Sequence, residues 1–366
     1  MKIRTLAQLM LLPLLSLPIG GCGTTAGNRN DQCRPLAPPD PALKSAVASS
    51  PFQGSVFTIV MENKSASDIL KPGGPAYINS LAQQYAVAGG YTDSFVHPSE
   101  PNYLWMVAGE NFGVLSDGDP SSNHVASTSH LADQLDQAGI TWRSYQESMG
   151  QPCGVTGNGL YEPKHDPFVY FDDVNGWNGT TFTRPQRCLD HVVDYSQFAV
   201  DLQSGKLPKY VFITPNMQDD MHDGSIADGD RWLSQEVPKI LASPAWQNGG
   251  VLFLMWDEGT LQSDDPPMIV ISPLAKRGFV SSAPYETSSY LKTVQALVGV
   301  EALPCDPTPD QVPMMDDLFS VPLPNSAAAP TTPPAAAVPA SAPATTAPTP
   351  APATAPAAAA PAATAP

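Results

Sequence analysis

Val251-Leu252-Phe253-Leu254-Met255-Trp256-Asp257-Glu258-Gly259 is a run of six apolar residues that ends in two carboxylates and a glycine. An unbroken apolar run of this length, without alternation, is the pattern of a strand buried on both faces of a parallel sheet. Acidic groups at its carboxyl end fall where open α/β sheets place their sites. Three further runs read the same way. Ser55 to Met61 leads into Glu62-Asn63-Lys64-Ser65, Tyr210 to Thr214 leads into a loop carrying Asp219-Asp220-Met221-His222-Asp223, and Met268 to Ile271 precedes Ser272-Pro273.

Helical patterns lie between these runs. Ala76 to Tyr85 carries Ile78 and Leu81, and Leu131 to Ala138 follows Thr128-Ser129 and stops at Gly139. Gly229-Asp230 opens a stretch with Trp232, Leu233, Val237 and Ile240 at helical spacing, and Asp230 reads most simply as its cap. A last helix is expected from about Ser288 to Val298. Strands alternating with helices give an α/β class. Residues 150–190 are rich in Gly, Pro, Asn and aromatics and read as long loops over the site rather than a separate domain.

Between the first and second runs lies His97-Pro98-Ser99-Glu100-Pro101-Asn102-Tyr103, followed by the apolar Leu104 to Gly109. This puts Ser99 near a helix start, where free N–H groups and the dipole favour an anion. On its own the stretch reads more readily as a structural cap. Carboxylates at three strand ends change that balance, because a serine needs a base or a metal to attack phosphorus. A ligand set made mostly of oxygen suits a hard divalent ion, Ca²⁺, Mg²⁺ or Mn²⁺ before Zn²⁺.

The chain has 366 residues and a formal net charge of −17, which argues against a nucleic-acid partner. Residues 1–22 have the charged start, apolar stretch and small-residue end of an export signal. Ile19-Gly20-Gly21-Cys22 resembles a lipoprotein signal, which implies lipidation of Cys22 and a membrane anchor; ordinary cleavage and secretion is the alternative. Residues 23–50 read as a polar, Pro-rich tether, 51–322 as the catalytic domain, and 323–366 as an Ala/Pro/Thr tail that cannot bury a core. With Cys22 set aside, four cysteines remain, and outside the cytoplasm two disulfides are expected. Three connectivities are open, of which Cys153 with Cys188 and Cys33 with Cys305 are preferred.

The motifs resemble, in order, the bacterial and fungal phosphoesterases that include acid phosphatases and phospholipases C, within the alkaline phosphatase superfamily. The matching segments are Met61 to Ser65, His97 to Tyr103, Lys164-His165-Asp166-Pro167-Phe168, Asp220 to Asp223, Gly229-Asp230-Arg231-Trp232-Leu233, Trp256 to Gly259 and Ile271-Ser272-Pro273. The resemblance implies an alkaline-phosphatase-like three-layer sandwich with a mostly parallel central sheet. It implies Glu62, Asn63, Asp257 and Glu258 as metal ligands, Ser99 as the nucleophile that also touches the metal, and Asn102 as a binder of a phosphoryl oxygen. Superfamily members with two zinc ions have histidine where Glu258 stands, so one ion is expected.

The mechanism implied is in-line attack by Ser99 on phosphorus and a phosphoserine that water hydrolyses. His222 and His165 are the groups read as protonating the leaving oxygen or binding phosphate, and Lys164 as adding positive charge. Asp220 and Asp223 are assigned supporting places, while His97, His124, His130 and His191 read as structural. The function expected is an acid phosphatase acting on phosphomonoesters. The alternatives are a phospholipase C or phosphodiesterase, and a surface binding protein without turnover, which the intact Glu62, Ser99, Asp257 and Glu258 argue against.

Overall fold

The computed structural model describes residues 36–303 and 312–324. The export segment with Cys22, the Cys33–Cys305 pairing and residues 325–366 of the tail lie outside the described residues. The strands are β1 (Val56–Met61), β2 (Ala86–Ala88), β3 (Tyr91–Thr92), β4 (Trp142–Gln146), β5 (Val192–Asp194), β6 (Tyr210–Thr214), β7 (Val251–Trp256), β8 (Met268–Ile271), β9 (Phe279–Ser281) and β10 (Tyr285–Glu286). The helices are α1 (Pro41–Ser49), α2 (Ala66–Ile69), α3 (Ala76–Gln84), α4 (Ser99–Ala108), α5 (Leu131–Ala138), α6 (Asp172–Asn175), α7 (Gln186–His191), α8 (Ser196–Ser204), α9 (Ile226–Leu241), α10 (Pro244–Gln247) and α11 (Thr287–Val298).

Eight strands form one sheet in the order β5-β4-β6-β1-β7-β8-β2-β9, and β3 pairs with β10 in a small separate ladder. Only β8 opposes the others in that sheet: it is antiparallel to β7 and β2, and every other pairing is parallel. Side chains alternate between two cores, as the strand pleat requires. Val56, Val60, Phe212, Phe253 and Met255 join Leu104 and Val107 of α4 and Leu291 and Val294 of α11. Phe57, Ile59, Met61, Val211, Leu252, Leu254 and Trp256 meet Ile78 and Leu81 of α3 and Trp232, Leu233 and Val237 of α9. The result is the expected three-layer α/β/α sandwich with a mostly parallel sheet.

Several local expectations change. α9 begins at Ile226, not at Gly229, because Ser225 and Asp228 make a reciprocal capping box. Asp230 therefore sits inside α9, and its carboxylate accepts from Tyr77 N (3.2 Å) and Ile78 N (2.9 Å), so it caps α3 instead. α3 needs this, since Pro75 at its N-cap offers no side-chain acceptor.

Part of the stretch read as a tether is the helix α1, started by Asp40, whose carboxylate accepts from Ala42 N, and by Pro41. Residues 150–190 do more than cover the site. Phe168, Val169, Tyr170 and Phe171 are wholly buried, and Cys153 is bonded to Cys188 with Cα atoms 5.3 Å apart. β4 escaped the sequence reading because Trp142-Arg143-Ser144-Tyr145-Gln146 contains no apolar run.

Candidate active site

β6, β1 and β7 are adjacent at the middle of the sheet and parallel, so their carboxyl ends open side by side. Met61 is level with Trp256, which sets the next residues, Glu62 and Asp257, at one height. Backbone bonds continue past the strands: Glu62 N donates to Asp220 O at 2.8 Å and Asp257 N to Met61 O at 3.0 Å. Asn63 turns the chain with a φ of 53°, a left-handed conformation that asparagine tolerates. Its N–H donates to Asp257 Oδ1 and its Nδ2 to Glu62 Oε2, both at 3.0 Å.

α4 arrives over these carboxylates from the other core. Ser99 is its first residue, and the Ser99 hydroxyl donates to Glu62 Oε2 at 3.0 Å. One turn later the Tyr103 hydroxyl donates to Glu62 Oε1 at 2.5 Å. Asn102 Nδ2 donates to Val96 O (2.7 Å) and Glu258 Oε2 (3.0 Å), and Asn102 Oδ1 accepts from Ser94 at 2.5 Å. Its amide hydrogens are thus engaged by the protein, and the phosphoryl contact expected of Asn102 needs one of those bonds to be exchanged.

The loop segment Pro163–His165 is tied to β6 by Thr214, whose hydroxyl donates to His165 O at 3.0 Å. This puts the His165 ring against Tyr103, with centroids 5.3 Å apart and planes 17° from parallel. His165 Nε2 lies 3.3 Å from Glu62 Oε2 and Nδ1 lies 3.2 Å from Asp220 Oδ2. Burial, with Lys164 and His222 nearby, holds this imidazole well below its usual pKa, so it is neutral. A buried neutral imidazole between carboxylates has the character of a ligand more than of a leaving-group acid.

His222 is more open. Its Nδ1 faces Asp223 Oδ1 at 2.8 Å and its Nε2 faces Lys164 Nζ at 3.1 Å, while Lys164 also donates to Asp117 Oδ2 at 3.2 Å. Burial pulls the Lys164 ammonium down, but Asp117, Glu62 and Asp257 outweigh it and raise its pKa.

Four acids therefore converge. Burial is the first cause that raises Glu62, Asp220, Asp257 and Glu258, and each also feels at least one other of the set or a neighbouring aspartate, except that Asp257 is moderated by its hydrogen bonds. Such a cluster is costly unless a cation compensates it. His165 Nε2, Asp220 Oδ2 and Asp257 Oδ2 are buried without a hydrogen-bond partner. Donor atoms of Glu62, His165 and His222 lie within 4.8 Å of one another. These residues fit a divalent metal, and the histidine nitrogens widen the choice beyond ions that take oxygen alone.

The sequence-derived residues Glu62, Asn63, Ser99, Asn102, Lys164, His165, Asp220, His222, Asp257 and Glu258 all gather here. Glu258 is turned toward Asn102 and toward His97, whose Nδ1 is 3.5 Å away and whose Nε2 lies 3.1 Å from Asp93, so His97, read as structural, borders the site. Sequence reasoning missed Tyr103, although its i+4 spacing from Ser99 puts both on one helix face. It also missed Asp117, for which no local signal exists. A second donor cluster, His130, Asp133 and Asp173, is already served by Arg187, which pairs with both aspartates.

A family model described as the Phosphoesterase family matches residues 55–260. A phosphatidylinositol-3-phosphatase of Mycobacterium tuberculosis is 30% identical over 282 residues, covering 76% of this chain and 87% of that protein. An acid phosphatase of Aspergillus fumigatus is 32% identical over 221 residues, covering 57% of this chain and 47% of that protein, so the chain spans about half the length of this relative. Human ectonucleotide pyrophosphatase/phosphodiesterase 5 superposes with a TM-score of 0.47 at 12% identity, over 68% of this chain and 96% of that one.

Proposed function

Since the chain belongs to the Phosphoesterase family and is by that membership a phosphoric ester hydrolase, we propose that it is an exported, metal-dependent phosphomonoesterase of the acid-phosphatase kind, working through a phosphoserine on Ser99. The observation that carries this reading is the Ser99 hydroxyl at the start of α4, hydrogen-bonded to Glu62 among buried carboxylates. Glu62, Asp220, Asp257 and His165, with His222 in reach, would hold the metal. When bound, such an ion supplies Lewis-acid stabilisation of charge developing on the phosphoryl oxygens.

The chain's own groups do the rest. Ser99 Oγ bonds to phosphorus as the bond to the leaving oxygen breaks, and its proton has an acceptor in Glu62 Oε2, 3.0 Å away. Lys164 faces the entering phosphate with positive charge. When Lys164 turns from His222 Nε2 to the phosphate, His222, steadied by Asp223, takes up a proton from solvent at Nε2 and delivers it to the leaving oxygen, and water then cleaves the phosphoserine. The two sequence relatives, from Mycobacterium tuberculosis and Aspergillus fumigatus, are named as phosphatases, which supports the monoester over the diester reading. The Cys153–Cys188 bond supports an oxidising compartment.

The test is hydrolysis of p-nitrophenyl phosphate, its bis-diester and a phosphatidylinositol 3-phosphate, before and after chelation, with Ser99→Ala alongside. The expected result is monoester turnover that chelation abolishes and that the variant loses by about a thousandfold or more. Preference for the diester points to a phosphodiesterase, and no turnover with any divalent ion points to a binding protein.

A further inference from the structure

Asp117 differs from every other carboxylate at this site. Glu62, Asp220 and Asp257 crowd together in the arrangement that suits a cation, whereas Asp117 stands apart from them with one oxygen on a helix N-terminal N–H and the other on an ammonium. Its Oδ1 accepts from the backbone N–H of Glu100, in the first turn of α4, at 3.1 Å, and its Oδ2 accepts from Lys164 Nζ at 3.2 Å. A helix N-terminus beside the nucleophile and an ammonium facing it are the two devices with which a phosphoryl group would be bound. Asp117 engages both.

The backbone around it is fixed. Gly118 N donates to Glu100 Oε2 at 2.7 Å, Gly118 O accepts from Tyr170 at 2.8 Å, and Asn123 Nδ2 also donates to Glu100 Oε2. The Asp117 side chain is 30% exposed, so solvent lies on the side toward which displacement would turn it.

Resting on the phosphoesterase reading, we propose that the Asp117 carboxylate is an internal stand-in for the substrate's phosphoryl group, which substrate must displace. It competes with the incoming anion for Glu100 N–H and Lys164 and repels it. The opposition is larger for a dianionic monoester than for a monoanionic diester, so Asp117 sets the balance between the two substrate classes.

The test uses the metal-loaded protein with inorganic phosphate as probe, titrated calorimetrically, for wild type, Asp117→Asn and Asp117→Ala, with thermal unfolding to confirm that each folds. Asp117→Asn keeps an acceptor for Glu100 N–H while losing the charge, so it decides the matter if the alanine variant does not fold. Phosphate affinity is expected to rise roughly tenfold, the size of one charge-assisted bond that no longer has to be surrendered. The ratio of monoester to diester kcat/KM is expected to rise with it. Unchanged or weaker phosphate binding overturns the proposal and makes Asp117 a positioning residue for Lys164. Because phosphate binding is read without turnover, a protein inert toward both esters would defeat the phosphatase reading while the binding result still decides the role of Asp117.

Discussion

The Tyr103 hydroxyl donates to Glu62 Oε1 at 2.5 Å while Ser99 donates to the other oxygen of the same carboxylate, so one turn of α4 grips both oxygens of Glu62. Partners of this kind orient ligands and tune their basicity. In Tyr103→Phe, affinity for the divalent ion should fall about tenfold or more, and kcat should fall with it. Metal titration by calorimetry measures the first. An unchanged affinity would mean that Glu62 is held in place without the tyrosine.

Asp230 supplies the start of α3 from inside α9. Asp230→Ala removes two N–H acceptors from α3 and puts a good helix former into α9, so the loss reports the cap. A destabilisation of about 1–2 kcal/mol is expected in urea, with hydrolysis at saturating substrate little changed. A variant as stable as the wild type would remove Asp230 from the structural account.

The Cys153–Cys188 bond closes a loop with a sequence separation of 35. Loop-closure entropy for that length amounts to about 3–4 kcal/mol. The double variant Cys153→Ala/Cys188→Ala should therefore unfold at clearly lower denaturant, and reductant should bring the wild type to the same midpoint.

Lys209 gives the clearest pH signature away from the site. Its ammonium donates to Phe52 O and Gly54 O, and burial lowers its pKa to about 8. Because the unfolded chain holds this proton up to about pH 10.4, the unfolded state binds more protons than the folded one between the two values. Stability from this residue therefore rises as pH rises through that window. Relative to Lys209→Met, the wild type should gain in unfolding midpoint between about pH 8 and pH 10.5. A difference that stays flat across the range would show that the folded pKa is not lowered.

Where a segment's burial is uniform, the residues announce it. β1, β6, β7 and β8 lie inside the sheet, are buried throughout and are apolar but for Thr58 and Thr214, so their existence was readable, and with them the carboxylates at three strand ends. The reversed direction of β8 was not readable, since a run buried on both faces carries no sign of its polarity. β4 is equally internal, yet Ser144 and Gln146 are buried there by bonding to Asp166 and Thr214, partners that only the tertiary fold brings near. The same division runs through the site. Ser99 and Glu62 stand in recognisable local settings, while Asp117 acquires meaning only from Lys164, which lies far along the chain.

β1 occupies the middle of the sheet, between strands whose pairing begins at Tyr210 on one side and Val251 on the other. Among the described strands it is the first to be made, yet its partners come only after about 150 further residues. Both of its hydrogen-bonding edges stay open until most of the chain has emerged, and only parallel, long-range pairing can close them. Contacts so distant in sequence slow folding and leave a sticky intermediate. The nascent chain therefore remains unfinished until Trp256 is in place, and a chaperone that shields Val56–Met61 would act on the segment most exposed to aggregation.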